Sequence, residues 1–90
     1  MNLRYRLRNS DIAWRRMGDE GTLIDLVNGR VHSCNSSSAV VVEKLRSGAT
    51  LPDLVAALLS TFDVDDGAAL EGAKATVDYL TAQGMLESEM

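Results

Sequence analysis

The fold of this chain depends on the stretch Thr22–Cys34, which reads TLIDLVNGRVHSC. Its first half, Thr22–Val27, is β-branched or apolar at every position except one aspartate, which is typical of a strand. Asn28-Gly29 follows, and both residues tolerate the positive φ that a two-residue hairpin turn requires. Arg30–Cys34 then reads as the returning strand. The stretch therefore predicts a β-hairpin that turns at Asn28-Gly29.

Two further strands are predicted upstream of the hairpin. Residues 3–8 alternate three apolar residues with three arginines, which indicates a strand with one face in solvent. Residues 12–17 form a second candidate strand. Turn-forming residues at 9–11 and a glycine-rich segment at 18–21 separate these strands from each other and from the hairpin.

Downstream of the hairpin the apolar spacing changes to three and four residues, which predicts helices. The first covers residues 39–46, after the N-cap candidates at 35–38. The second begins at Thr50, with Asp53 completing a capping box. Its apolar stripe is Leu51, Leu54, Val55, Leu58 and Leu59. The third is capped by Asp66 and ends before Gly84. Its stripe is Leu70, Ala73, Val77 and Leu80.

The order of strands followed by three helices predicts an α+β fold. Ninety residues are too few for two cores of ordinary size, so we expect a single domain over residues 1–86. Residues 87–90 follow the last apolar position of the pattern and are expected to form a frayed tail.

The composition predicts a protein of the reducing cytoplasm with no membrane segment. The longest unbroken apolar run, Leu54–Leu59, is far shorter than the roughly 18 residues that a membrane-spanning helix needs. Residues 1–6 alternate arginines with apolar residues and do not resemble a secretion signal. Cys34 is the only cysteine in the sequence, so no disulfide can form within the chain.

The charge argues against a nucleic-acid partner. The net charge of −4 divides into +4 over residues 1–16 and −8 over residues 17–90. Residues 51–83, which contain the second and third predicted helices, carry one lysine against six carboxylates. Because a DNA-binding domain neutralises phosphates with basic residues on the element that enters a groove, this part of the chain is unsuited to the task.

Residue types that carry catalysis or bind metals are sparse and poorly spaced. His32 and Cys34 share one face of a strand, with their roots about 6–7 Å apart, and no third group orients the imidazole. We expect both to fill half-buried positions under the helices. Asp63, Asp65 and Asp66 lack the glutamate that completes a calcium loop, no zinc-ligand spacing occurs, and no glycine-rich loop opens a helix. The sequence therefore predicts a binding protein that is not an enzyme and has no metal or cofactor.

A sheet followed by helices leaves a strand edge that can bind a ligand. If Arg30–Cys34 pairs only with the preceding strand, its other edge can accept an extended peptide as an added strand. Five or six backbone hydrogen bonds at about 1 kcal/mol each fall short of the roughly −8 kcal/mol of micromolar binding. Apolar pockets beside the edge must contribute the rest, and the third helix is the expected wall of those pockets.

The sequence resembles the PqqD family along most of its length, from about residue 3 to residue 86. The first half of the resemblance consists of Leu23–Leu26, Asn28–Asn35 and Ser38-Ala39. The second half consists of Gly48, Thr50-Leu51, Leu54, Leu58-Leu59, Phe62–Asp65, Leu80 and Gly84–Leu86. The chain departs from the family pattern at Cys34, where leucine is usual, and at His32, where an aromatic residue is common.

This resemblance implies a winged helix-turn-helix-like domain, with a three-stranded antiparallel sheet followed by three α-helices. Such domains are RiPP recognition elements, which bind the leader segment of a ribosomally synthesised precursor peptide and present it to a modifying enzyme. The partner enzyme is a radical enzyme in PQQ biosynthesis and a leader peptidase in lasso-peptide biosynthesis. The stretch from Leu23 to Asn35 favours the lasso type.

The resemblance also implies where the leader peptide binds. The leader adds to the edge of the last strand of the sheet and lies against the third helix. Carried over by position, the peptide-binding residues of the strand are Arg30, Val31, His32, Ser33 and Cys34. Those expected on the helix are Lys74, Val77, Asp78 and Thr81.

Two alternatives belong to other functional classes. A winged-helix DNA-binding protein would share the fold, but it would require basic residues on its recognition helix and would show salt-dependent retention on heparin or a DNA column. A structural module could instead use the open edge to form a homodimer, which would make its size depend on concentration.

Overall fold

The computed structural model describes residues 3–8 and 10–89. Its elements follow in the order β1 (Arg4–Leu7), β2 (Ile12–Met17), β3 (Glu20–Asp25), β4 (Arg30–Cys34), α1 (Ser36–Leu45), β5 (Ala49–Thr50), α2 (Leu51–Thr61), α3 (Asp66–Ala82) and β6 (Leu86–Glu89). The predicted α+β fold class is confirmed, and the predicted bounds of β2 and β4 coincide with the observed ones.

The strands form two antiparallel sheets. The larger has the order β2-β3-β4, and the smaller has the order β5-β1-β6. The three-stranded antiparallel sheet that precedes the helices is therefore β2-β3-β4. The strand predicted at residues 3–8 lies outside it, in the second sheet, where Arg4–Leu7 pairs with β5 and β6.

The turn between β3 and β4 is longer than the predicted one. Asp25 pairs with Arg30, so residues 26–29 form a four-residue turn, and the predicted two-residue turn at Asn28-Gly29 is wrong. The buried Asp25 carboxylate explains the difference. It accepts hydrogen bonds from the backbone amides of Val27 and Asn28 at 3.0 and 3.2 Å and from the Asn28 side chain at 2.8 Å. These bonds satisfy the amides of the turn and end β3 at Asp25.

The helices begin where side chains can cap them. Asn35 caps α1 and the predicted capping box of Thr50 and Asp53 begins α2. The cap of α3 is Asp65, one residue before the predicted Asp66, and its carboxylate accepts from the Ala68 amide at 2.7 Å. At the other end of α3, Gly84 has a φ of 73°, as expected for the residue that follows a helix.

The core lies where the three helices meet β1 and β3. Its buried members are Leu7, Leu23, Val41, Val42, Leu45, Ala49, Leu54, Leu58, Ala69, Ala73, Val77, Leu80 and Met85. From α3 it takes Ala69 rather than the predicted Leu70, whose side chain is 43% exposed. The other three predicted members of the stripe, Ala73, Val77 and Leu80, are buried as expected.

The end of the chain is paired. Leu86–Glu89 forms β6, antiparallel to β1, with Leu86 opposite Leu7 and Glu89 opposite Arg4. The expected frayed tail is therefore wrong for residues 87–89, and residue 90 lies outside the described residues.

Candidate functional site

β4 has one open edge. In the sheet β2-β3-β4 it pairs with β3 on one side and with none of the described residues on the other. His32 and Cys34 point toward the helices, and Val31 and Ser33 are exposed on the outer face, as the alternation in the sequence predicts.

One hydrogen bond shows which residues of β4 point their backbone groups toward the open edge. Leu26 donates its amide to the carbonyl of Asp11, beside β2, at 2.8 Å. Backbone groups alternate between the two edges of a strand, so Leu23 and the other odd-numbered residues of β3 point their amides at β4. Their partners are the even-numbered residues of β4. Val31 and Ser33 therefore present N–H and C=O groups to the open side.

A narrow cleft runs beside this edge, between β4 and α3. Its volume is about 190 Å³. The described residues that line it include no Asp, Glu, Lys or Arg, and they are His32, Ser33, Cys34, Ser38, Val42, Ala75, Thr76, Tyr79 and Leu80. On the α3 side the small side chains of Ala75 and Thr76 leave room beside the strand, between the larger Tyr79 and Leu80. The cleft therefore offers an uncharged space next to unpaired backbone groups.

Two side-chain contacts hold β4 against α3. His32 Nδ1 lies 2.6 Å from the Tyr79 hydroxyl, and the two rings meet edge to face with centroids 5.6 Å apart. Arg30 donates from Nη1 to Gln83 Oε1 at 3.1 Å. These contacts join the first and the middle residue of the strand to α3 and its C-cap, so they set the spacing between β4 and α3.

The histidine and cysteine of β4 act as wall residues. His32 is 8% exposed, and its Nε2 has no hydrogen-bond partner within residues 3–8 and 10–89. Burial raises the pKa of the Cys34 thiol, so the sulfur stays protonated near neutral pH and is a poor nucleophile. Both residues lie under the helices, which confirms the positions expected for them.

The structure brings together only part of the predicted peptide-binding set. Arg30, Val31, His32, Ser33 and Cys34 form the open strand. Val77 is buried in the core, and the exposed Lys74, Asp78 and Thr81 do not line the cleft.

The residues of α3 that do line the cleft are Ala75, Thr76, Tyr79 and the core residue Leu80. They share a face of α3 because residues three and four apart are neighbours on a helix. Tyr79 carries a sequence signal that the pattern analysis missed. It is the only aromatic residue of α3, and it adjoins the buried Leu80 without belonging to the core stripe.

Metal and membrane features were sought in the described part of the chain. It contains no group of three or more His, Cys, Asp and Glu side chains that could hold a metal ion. None of its helices is long and apolar enough to cross a membrane.

The fold and the site define a class of small α+β domains in which an open strand edge lies beside a helix. The chain belongs to the PqqD family, because the family model described as coenzyme PQQ synthesis protein D matches residues 20–86. That match covers β3 to the start of β6 and includes both walls of the cleft. Among curated proteins, none matches this chain.

Two solved structures resemble the whole domain. One is described as TbiB1 in complex with the TbiA(beta) leader peptide. It is 17% identical, has a TM-score of 0.80, and the match covers 91% of this chain and 94% of that one. The other is described as lasso peptide synthetase B1 complexed with the leader peptide. It is 26% identical, has a TM-score of 0.77, and the match covers 92% and 96% of the two chains. The first likeness concerns the fold alone.

Proposed function

We propose that this protein binds the leader segment of a ribosomally synthesised precursor peptide and presents it to the enzyme that processes that precursor. The observation that carries the proposal is the open edge of β4, whose Val31 and Ser33 backbone groups lie beside the uncharged cleft against α3. The resemblance to two leader-peptide complexes supports the choice of ligand. In this role the chain binds and presents a peptide and is not an enzyme.

The leader adds to β4 as a fourth strand of the sheet. Val31 and Ser33 offer up to four backbone hydrogen bonds, which contribute about 4 kcal/mol at roughly 1 kcal/mol each. Micromolar binding requires about −8 kcal/mol, so side chains that enter the cleft supply the remainder and offset the ordering of the peptide. Because side chains alternate along an added strand, every second leader residue faces the cleft, and those residues are uncharged.

The helix wall of this site consists of Ala75, Thr76, Tyr79 and Leu80. Gln83, the C-cap of α3, adds a contact to Arg30. Lys74, Asp78 and Thr81, expected from the family resemblance, lie outside this wall. The pathway is of the lasso type and the partner enzyme is its leader peptidase, an assignment supported by a structural neighbour named as a lasso peptide synthetase. The protein acts in the cytoplasm, where Cys34 remains a thiol.

A ¹⁵N-HSQC titration with the leader peptides encoded beside this gene tests the proposal. We expect shifts at residues 30–34 and at Ala75, Thr76 and Tyr79, with much smaller shifts at Lys74 and Asp78. A folded spectrum that moves with none of these peptides would contradict leader binding. Shifts that cluster on β2 instead would place the ligand at the wrong edge.

A further inference from the structure

A second surface lies between α2 and α3. An open apolar groove of about 380 Å³ follows the two helices there. Its apolar lining is Leu51, Pro52, Val55, Ala56, Leu59 and Leu70. Leu59 and Leu70 are 37% and 43% exposed, although both belong to the apolar stripes that the sequence assigns to the core. These two side chains therefore expose apolar surface on the same groove.

The groove lies on the opposite side of α3 from the cleft. Leu70 and Tyr79 are separated by nine positions, and at about 100° per residue this places them on opposite faces of the helix. Leu70 lines the groove and Tyr79 lines the cleft. A ligand in one site therefore leaves the other accessible.

The acidic residues near the groove indicate what kind of partner it would bind. Asp66 is the one polar member among the described residues that line it, and Asp63 and Asp65 lie in the connection that precedes α3. Residues 51–83 have a net charge of −5, with Lys74 as the only cation among them. An apolar surface within a field of this sign favours a partner whose apolar side chains are flanked by lysine or arginine.

We propose that this groove docks the processing enzyme, through an enzyme segment with apolar side chains flanked by basic ones. This inference rests on the proposed function, since it assumes that the chain delivers a leader to an enzyme. The arrangement places the leader on one side of α3 and the enzyme on the other, so that both are held at once.

The test measures enzyme and leader affinities separately. The probes are the purified leader peptidase and the leader peptide encoded beside this gene, each titrated by calorimetry against the full chain. Leu70→Gln removes an apolar groove residue that is already partly exposed, and Asp63→Lys reverses a charge in the connection that precedes α3. Leu26→Gln is the matched control, because Leu26 is 64% exposed in the turn between β3 and β4, outside the groove.

We expect Leu70→Gln to weaken enzyme binding by about tenfold or more, as for an apolar interface anchor. Asp63→Lys should weaken it by about threefold and reduce its dependence on salt. Leu26→Gln should leave it within about twofold of wild type, near the level expected for a contact outside the interface. Leader affinity should be unchanged in all three variants.

Three results would overturn the docking proposal while leader binding persists. They are equal enzyme affinity for Leu70→Gln and wild type, no enzyme binding by wild type, and a wild-type dimer that becomes monomeric in Leu70→Gln. The last result would assign the groove to a second copy of this chain. Absence of leader binding would instead contradict the proposed function itself, so the two failures are distinguishable.

Discussion

The sheet β2-β3-β4 has two open edges, and only one of them is suited to a peptide. The edge of β2 adjoins a larger space, about 510 Å³, that is lined by Arg8, Glu43 and Arg46 among others. Those charges are paired, with Arg46 at 3.0 Å from Glu43 and Arg8 at 3.5 Å from Asp25. The edge of β4 adjoins a cleft of about 190 Å³ without such charges.

The comparison of the β2 and β4 edges shows that an unpaired strand edge is not sufficient for a peptide-binding site. A peptide side chain entering the space beside β2 would displace solvated ion pairs, whose loss offsets much of the gain from new contacts. β2 also carries exposed Arg15 and Arg16, and charged side chains discourage pairing at an edge. At β4 the same backbone groups lie beside a space that an uncharged side chain can fill without displacing an ion pair.

The largest effect is expected from a proline at the β4 edge. Ser33→Pro removes the amide that faces the open side, puts the proline ring in the path of the added strand and leaves the pairing with β3 intact. Leader affinity should therefore fall by about 100-fold or more. Ser33→Ala, which keeps the amide, should bind like wild type. Arg16→Pro is the matched control, because the Arg16 amide faces the open edge of β2 by the same alternation. Fluorescence anisotropy with a labelled leader peptide measures all three, and equal losses at the two edges would remove the distinction between them.

The second effect concerns the helix wall of the cleft. Tyr79→Ala removes the side chain that holds His32 in place, and we expect leader affinity to fall by about tenfold. Tyr79→Phe keeps the ring but leaves the buried His32 Nδ1 unpaired, so it should lower stability more than leader affinity. Lys74→Ala and Asp78→Ala serve as controls that should bind normally. If those two variants lost leader binding and Tyr79→Ala did not, the leader would contact the face of α3 with Lys74 and Asp78, as the family resemblance implies.

The two walls of the cleft between β4 and α3 differed in how far the sequence could predict them. The strand edge was predictable because β-alternation is local, and residues 30–34 carry it without interruption. The helix wall was not, because Ala75, Thr76 and Tyr79 lie outside the apolar stripe of α3. Only the packing of α3 beside β4 brings them to the cleft, and no local pattern specifies that packing.

Two other features depended on contacts that no local pattern specifies. The four-residue turn after Asp25 forms because the buried Asp25 carboxylate accepts hydrogen bonds from the amides of Val27 and Asn28. The dipeptide Asn28-Gly29 alone favours a shorter turn. β6 has the polar sequence LESE and becomes a strand because β1, almost 80 positions earlier, offers it a partner.

The third prediction concerns the stability of the sheet. Asp25 is the last residue of β3, the strand that lies between β2 and β4. The Asn28 side chain, together with the amides of Asn28 and Val27 and the Arg8 guanidinium, holds the pKa of Asp25 below its ordinary value, against the burial that would raise it. Asp25→Asn should lower Tm at pH 7 by at least about 5 °C, since it weakens several buried hydrogen bonds.

The sign of the pH dependence follows from that lowered pKa. The stabilisation from Asp25 is fully present above the unfolded-state value of about 3.9 and is lost as the pH falls through the lower folded-state value. Thermal unfolding from pH 7 to pH 3 should therefore show a difference in Tm between wild type and Asp25→Asn that narrows once the pH falls below about 3.9. A constant difference in Tm between them over that range would contradict the role assigned to the carboxylate.

The smallest effect is expected from the outer face of the β4 edge. Val31→Ala shortens a side chain that is 67% exposed and points away from the cleft, so leader affinity should change by less than about twofold. Val31→Pro, which removes an open-edge amide, should instead behave like Ser33→Pro. Similar losses of leader affinity in both Val31 variants would mean that the leader contacts the outer face of the sheet rather than its edge.

Amide hydrogen exchange along β4, measured with and without bound leader peptide, reports directly on strand addition at this edge. We expect the amides of Val31 and Ser33 to exchange rapidly in the free protein and to become protected in the complex. The amides of His32 and Cys34, already bonded to β3, should be protected in both states. Rapid exchange at Val31 and Ser33 in a saturated complex would contradict strand addition at this edge.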